Sequence, residues 1–298
     1  MKPANQSQTI SDYNDLMGVE TLHPLVSVID FSKVSPIIIK RKTIEFYAIF
    51  FKDAKCGDIL YGRNKYDYRE GTLLFMAPNQ IIEVENNGEP MQPKGWAVLF
   101  HPDLLKGMPL AHKMKEYTFF SYEVHEALHL SEQEKQIVSD CIQKIEFELH
   151  HTIDKHSCTL IATNIELLLN YCVRFYDRQF ITRNIANKDI LTRFENLLNN
   201  YFESELPLNV GFPTVKYCAE QLHLSSNYFG DLIRKETGKT AQDYVQHKII
   251  NLAKERIFDS SKSVSEIAYE LGFQYPQHFS RFFKKKTGFT PNEYRLKH

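Results

Sequence analysis

The chain has 298 residues, 43% of them hydrophobic, with 36 Lys/Arg against 37 Asp/Glu and a net charge of −1. This length suggests two domains, and the apolar fraction is ample for packed cores, which argues against a disordered chain. No apolar run approaches 18 residues and the polar first twenty residues lack the apolar stretch of a signal peptide, so neither a membrane span nor secretion is expected.

Residues 1–20, rich in Asn, Gln, Ser and Asp, read as a flexible tail. Residues 21–181 then change character part-way. Up to about 124 they carry short β-type runs, among them "LVSVIDF", "IEFYAIFF", "TLLFMAP", "QIIEVE" and "GWAVLF", separated by gaps such as "NNGEPMQPKG". Strands of this length and spacing predict a barrel or sandwich. Within them, "CGDILYGRNKYDYREGTLLFMAPNQ" has a barrel's glycine rhythm but no His, so a metal-dependent barrel is not expected. Tyr47, Phe75 and Trp96 are conceivable lining residues for a small organic ligand, with plain core the leading reading of each. "EYTFFSYEV" is aromatic and β-branched and reads as a further strand.

"HEALH", His125–His129, matches H-E-x-x-H, the pattern with which a helix offers two zinc ligands and a general base. A zinc metallohydrolase using His125, Glu126 and His129 is therefore an alternative reading. It requires the five residues to be helical. Ser131 and Glu134 have capping-box spacing, however, which starts the helix after the second His. A strand-to-helix connection is the expectation, with no metal site and no cofactor.

From Ser131 the period is helical: Ile137, Cys141, Ile145 and Leu149 recur every four residues. A second helix, about Ser157 to Phe180, is apolar on more than one face, as expected of a helix covered by its own domain on one side and a partner subunit on the other, or of a core helix within one chain. The five cysteines, Cys56, Cys141, Cys158, Cys172 and Cys218, form no C-x-x-C pair and are expected as reduced thiols. Residues 182–206 read as a connector containing a helix marked by Ile190, Phe194, Leu198 and Tyr201.

The last ninety residues repeat themselves. Val215, Ala219 and Leu222 match Val264, Ala268 and Leu271 at an offset of 49; Phe229, Leu232, Gly238 and Tyr244 match Phe279, Phe282, Gly288 and Tyr294 at an offset of 50. Each unit, about 214–237 and 263–287, reads as two short helices around a tight turn, with Gly272 at a helix end that favours positive φ. A helix from about Ala241 to Phe258, with Val245, Ile249, Ala253 and Ile257 on one face, joins them. Residues 207–298 carry 14 Lys/Arg against 9 Asp/Glu, a balance of +5, and the rest 22 against 28, or −6. A basic C-terminal third on an acidic body suits an anionic polymer.

On "SVSEIAYELGF", "HFSRFFKKKTGFTPNEYR" and the weaker copy "LSSNYFGDLIRKETGKT", the chain resembles the AraC/XylS family of bacterial transcription regulators. The resemblance implies a mixed fold: an N-terminal cupin-like β-barrel with a helical dimerisation element, and a C-terminal all-α double helix-turn-helix domain at 207–298. It implies a cytoplasmic, nucleoid-associated homodimer, an activator or a repressor and not an enzyme. Its partners would be double-stranded DNA, RNA polymerase and a small-molecule effector. A front domain that recruits a partner without sensing is the other alternative.

Helix-turn-helix units place the N-terminal half of the second helix against base edges. In the second unit Phe279, Phe282 and Phe283 should face the core, leaving Gln277, His278, Ser280 and Arg281 exposed. Arg281 can pair with guanine O6 and N7, and Gln277 with adenine N6 and N7. Lys284, Lys285 and Lys286 suit phosphate. In the first unit Asn227, Gly230 and Asp231 take the matching positions; Asp231 could accept from cytosine N4, and Arg234 could serve phosphate.

Overall fold

A computed structural model describes residues 7–36, 42–52, 59–61, 64–66, 71–84, 90, 92, 94–122, 126–152, 154–182, 184–259 and 261–297. They divide into two compact units, Met1–Thr182 and Arg183–His298.

The first unit runs β1 (Ser7–Gln8), α1 (Ile10–Met17), β2 (Val26–Asp30), β3 (Lys42–Ile44), β4 (Tyr47–Lys52), β5 (Ile59–Tyr61), β6 (Asn64–Tyr66), β7 (Thr72–Met76), β8 (Ile81–Val84), β9 (Trp96–Phe100), α2 (Pro109–Lys113), β10 (Leu128–His129), α3 (Glu132–His150) and α4 (Ser157–Thr182). The described ladders make two five-stranded sheets, β1-β3-β8-β5-β6 and β10-β7-β4-β9-β2. In the second, Ile49 pairs with Val98 on one side and with Phe75 on the other, all antiparallel.

That sheet is buried on both faces. Period-two alternation sends Ala48, Leu74, Met76, Ala97 and Leu99 into one core with Ile10, Tyr13 and Met17 of α1. It sends Tyr47, Phe75 and Phe100 the other way, where Phe120 meets all three rings and Tyr176 of α4 meets Phe75. A strand covered twice reads as an unbroken apolar run, hence "TLLFM". Phe75 is thus core, while Tyr47 and Trp96 are half-buried.

Two expectations are corrected here. Residues 10–17 were placed in a flexible tail, yet they form α1. Thr9 and Asp12 cap it reciprocally, and Ile10, Tyr13 and Met17 at helical spacing are all buried. "EYTFFSYEV" is no strand: Thr118–Ser121 form one 3₁₀ turn, and residues 123–125 lie outside the described part. The reason is packing. Phe119 and Phe120 both press on Phe75, with ring centroids at 4.4 and 5.5 Å, and consecutive strand residues would point to opposite faces.

The described end of the "HEALH" segment lies just before the helical hairpin. His125 lies outside the described residues; Leu128 and His129 form β10, paired with Leu73 and Thr72. The capping box of Ser131 and Glu134 starts α3 after it. Helix α4 then holds the segment's other edge. Gln179 accepts the His129 backbone N–H at 2.8 Å and donates to the Ala127 carbonyl at 3.2 Å, and Tyr176 donates to the Glu126 carbonyl. Arg178 donates to the His129 carbonyl and grips both carboxylate oxygens of Glu134 at 2.8 and 2.9 Å. His129 lies in β10 and α3 starts only at Glu132, so no α-helix carries Glu126 and His129 together as H-E-x-x-H chemistry needs.

The second unit is helical: α5 (Asn184–Glu203), α6 (Leu206–Val210), α7 (Val215–Gln221), α8 (Ser226–Thr237), α9 (Ala241–Arg256), α10 (Val264–Glu270), α11 (Pro276–Thr287) and α12 (Pro291–Lys297). The segment read as a connector, 182–206, is mostly α5, which packs into this unit. Phe194, fully buried, meets Phe229 edge-on at 4.9 Å and Tyr244 at 5.3 Å. Tyr201 meets Tyr217 edge-on and donates to the Gly211 carbonyl at 2.7 Å. Helix α5 thus covers one side of the first helix-turn-helix unit's core.

Candidate nucleic-acid interface

The two helix-turn-helix repeats correspond in sequence register and in order of elements: α7 and α8 match α10 and α11, and α9 matches α12. In each, the first helix carries the small Ala219 or Ala268, fully buried, against which the second helix crosses. Helices α8 and α11 end alike. Gly238 and Gly288 adopt left-handed φ of 70° and 84°, and Thr237 and Thr287 donate back to the carbonyls of Ile233 and Phe283 at 2.7 and 2.8 Å.

The tight turns differ instructively. In the second unit Gly272 sits at φ 92°, and a Cβ there would come within 2.8 Å of the Gly211 carbonyl carbon and the Phe212 amide nitrogen. Glycine is thus required by both dihedral and space. The segment 211–212 lies across this turn, with the Phe212 ring 5.6 Å from Phe273. The joining helix α9 buries Val245, Ile249, Ile250 and Ala253. Its end is held by Arg295, which donates to the Ile257, Asp259 and Lys262 carbonyls, and Arg256 bonds the Phe202 carbonyl and pairs with Glu270. These two arginines serve the scaffold, not the surface.

On α11, Phe279 and Phe283 are fully buried and Phe282 is half-buried against Phe273, a partial departure from its expected core role. Gln277, His278 and Arg281 are exposed, and Ser280 is half-buried beside them. Gln277 and Arg281 are one turn apart and share a face. Arg281 makes no ion pair with any described residue. Lys284, Lys285 and Lys286 are exposed in the last turn, where cations also suit the helix dipole. On α8, Asn227 and Arg234 are exposed and Asp231 is half-buried, while Gly230 borders open space. Reasoning from the pattern missed one residue on the surface of the second unit: Tyr275, immediately before α11, is 60% exposed, with its ring 5.4 Å from that of His278.

Elsewhere, Cys141, Cys158, Cys172 and Cys218 form no disulfide, and Cys56 lies outside the described residues. Burial raises the thiol of Cys218 to about 11 and that of Cys172 well above its usual value, so both are held as inert thiols. No described helix is long and apolar enough to cross a membrane.

Comparison with known proteins matches residues 218–297 to a family described as a helix-turn-helix domain. Over 87 residues, 28% of this chain and 24% of the relative, the chain is 39% identical to YesN of Bacillus subtilis, described as an uncharacterized transcriptional regulatory protein. Over 251 residues, 84% of this chain and 76% of the relative, it is 22% identical to YfiF of the same organism, described as an uncharacterized HTH-type transcriptional regulator. Among solved structures, the C-terminal domain of the response regulator yesN from Fusobacterium nucleatum is 30% identical and covers 34% of this chain and 96% of its own, with a TM-score of 0.30. The chain spans 34% or less of the length of the first three curated relatives it matches. Residues 218–297 thus carry a helix-turn-helix domain, and the relatives that this chain is similar to are described as transcriptional regulators.

Proposed function

We propose that the chain is a sequence-specific DNA-binding transcription regulator that lays α8 and α11 into successive major grooves, about 34 Å apart on one face of the duplex. The observation that carries this reading is the face of α11, where Gln277, His278 and Arg281 stand exposed with lysines behind them. Arg281 and Gln277 read base edges, Ser280 and His278 flank them, and Lys284, Lys285 and Arg234 hold phosphate. Asn227 and Asp231 are the weaker readers of the first unit.

The front unit is a cupin-like sensing domain that takes a small organic effector and presents two copies of the DNA-binding unit to neighbouring half-sites and to RNA polymerase. Dimerisation through α4 is supported by Leu160, Leu167 and Val173, which it leaves exposed, with Phe147 of α3 nearby in the hairpin's open surface. The test is selection of binding sites from random-sequence DNA by the full-length chain. Two boxes one helical turn apart uphold the reading; failure to enrich any site, with and without cell extract as a source of effector, refutes it.

A further inference from the structure

Tyr275 stands apart from its counterparts. The five other helices of the duplicated region, α7, α8, α9, α10 and α12, each begin on a Ser or Thr whose hydroxyl accepts a helix N–H: Thr214, Ser225, Thr240, Ser263 and Thr290. Ser225, at the offset of 50, is Tyr275's own equivalent, and it caps the Tyr228 N–H at 3.2 Å. Tyr275 makes no such bond. A side chain that favours the helix is replaced here by a large aromatic one, and its ring is turned out to solvent rather than into the core. The ring is held edge-on by His278, 5.4 Å away at 68°. Spacing of three places Tyr275, His278 and Arg281 along one ridge of the exposed face, with Tyr275 at its leading tip.

We infer that Tyr275, positioned by His278, reads the 5-methyl group of a thymine in the major groove next to the base pair met by Arg281. A thymine methyl is the one apolar group that a base edge offers there, and an exposed ring flanked by polar base readers matches it. The inference rests on the DNA-binding reading above and deepens it. Tyr275 is a specificity-determining residue, and the second unit prefers a thymine that the first, with Ser225, does not.

The test uses the full-length chain and a duplex that it selects, with each thymine of the second unit's box replaced in turn by uracil, which lacks only the methyl. One replacement should weaken binding about fivefold. The Tyr275→Ser variant should bind the thymine and uracil duplexes equally, with unfolding resistance equal to or above the parent's because Ser restores a cap. Tyr275→Phe should keep the discrimination. The inference is overturned if no uracil replacement matters, if the selected box holds no thymine, or if Tyr275→Ser still discriminates. It is also overturned if Tyr275→Phe weakens both duplexes alike, which marks a hydroxyl–phosphate contact. If the parent chain selects no site at all, the DNA-binding reading itself fails, and the inference falls with it.

Discussion

His223 and Gly272 occupy the same turn in the two helix-turn-helix units, and both have left-handed backbone, with φ of 59° and 92°. The second unit meets that demand with the residue that adopts it freely; the first meets it with a β-carbon in place, which is strained. His223→Gly should therefore raise the stability of the C-terminal unit by up to about 1 kcal/mol. Gly272→Ala should lower it by about 2 kcal/mol or more, because its Cβ also meets Gly211 and Phe212. Urea unfolding of the full-length chain, followed through the C-terminal transition, measures both. Equal responses would show that backbone strain is not what distinguishes the copies.

Helix α5 is structural to the C-terminal unit. Tyr244, which packs on Phe194, also donates to the Glu195 carboxylate, and burial together with that carboxylate pushes its phenol up to about 12. Phe194→Ala should cost about 3–5 kcal/mol and lower DNA affinity through unfolding alone. A fragment beginning at Arg183 should unfold cooperatively; one beginning at Pro207 should not. A cooperative, DNA-competent 207–298 fragment would contradict this role.

How much of this was legible in the sequence follows from the range of the forces involved. The repeat, its caps and its glycines are local, so Ser263 with Glu266 and Gly272 could be read directly. The exposed face of α11 followed from Phe279 and Phe283 by periodicity. What α5 packs against was not legible, because Phe194 reports helical spacing and says nothing of which core receives it. The 3₁₀ turn at Phe119–Phe120 was hidden for the same reason: strand propensity yielded to two rings that both needed Phe75. H-E-x-x-H is a local pattern whose meaning depended on a helix that Gln179 and Arg178, fifty residues on, replace with a bound strand.

The basic turn of α11 and its reading face should separate in binding experiments. Arg281→Ala should cost about 1–3 kcal/mol on the selected site and relax preference at one base position. Lys284→Ala and Lys285→Ala should weaken binding to all sequences alike. Each should reduce the slope of log affinity against log salt by about 0.9 if the lysine neutralises one phosphate. Fluorescence anisotropy across a salt series distinguishes them; an unchanged slope in the double lysine variant would leave those side chains as a solvated face.

Acid should loosen the second unit through its helix starts. The backbone N–H and hydroxyl of Ser263 hold the Glu266 carboxyl below its usual value, and those of Thr290 do the same for Glu293. A carboxyl depressed in the folded state stabilises that state above its unfolded value, near 4.5 for Glu. The contribution is lost as pH falls through the lower folded value. The C-terminal transition should therefore weaken between about pH 5 and pH 3. A Glu266→Gln, Glu293→Gln double variant keeps an acceptor at each cap but removes the titration, so its midpoint should fall less steeply over that window. Parallel pH profiles for the variant and the parent would show that these two caps carry none of the acid sensitivity.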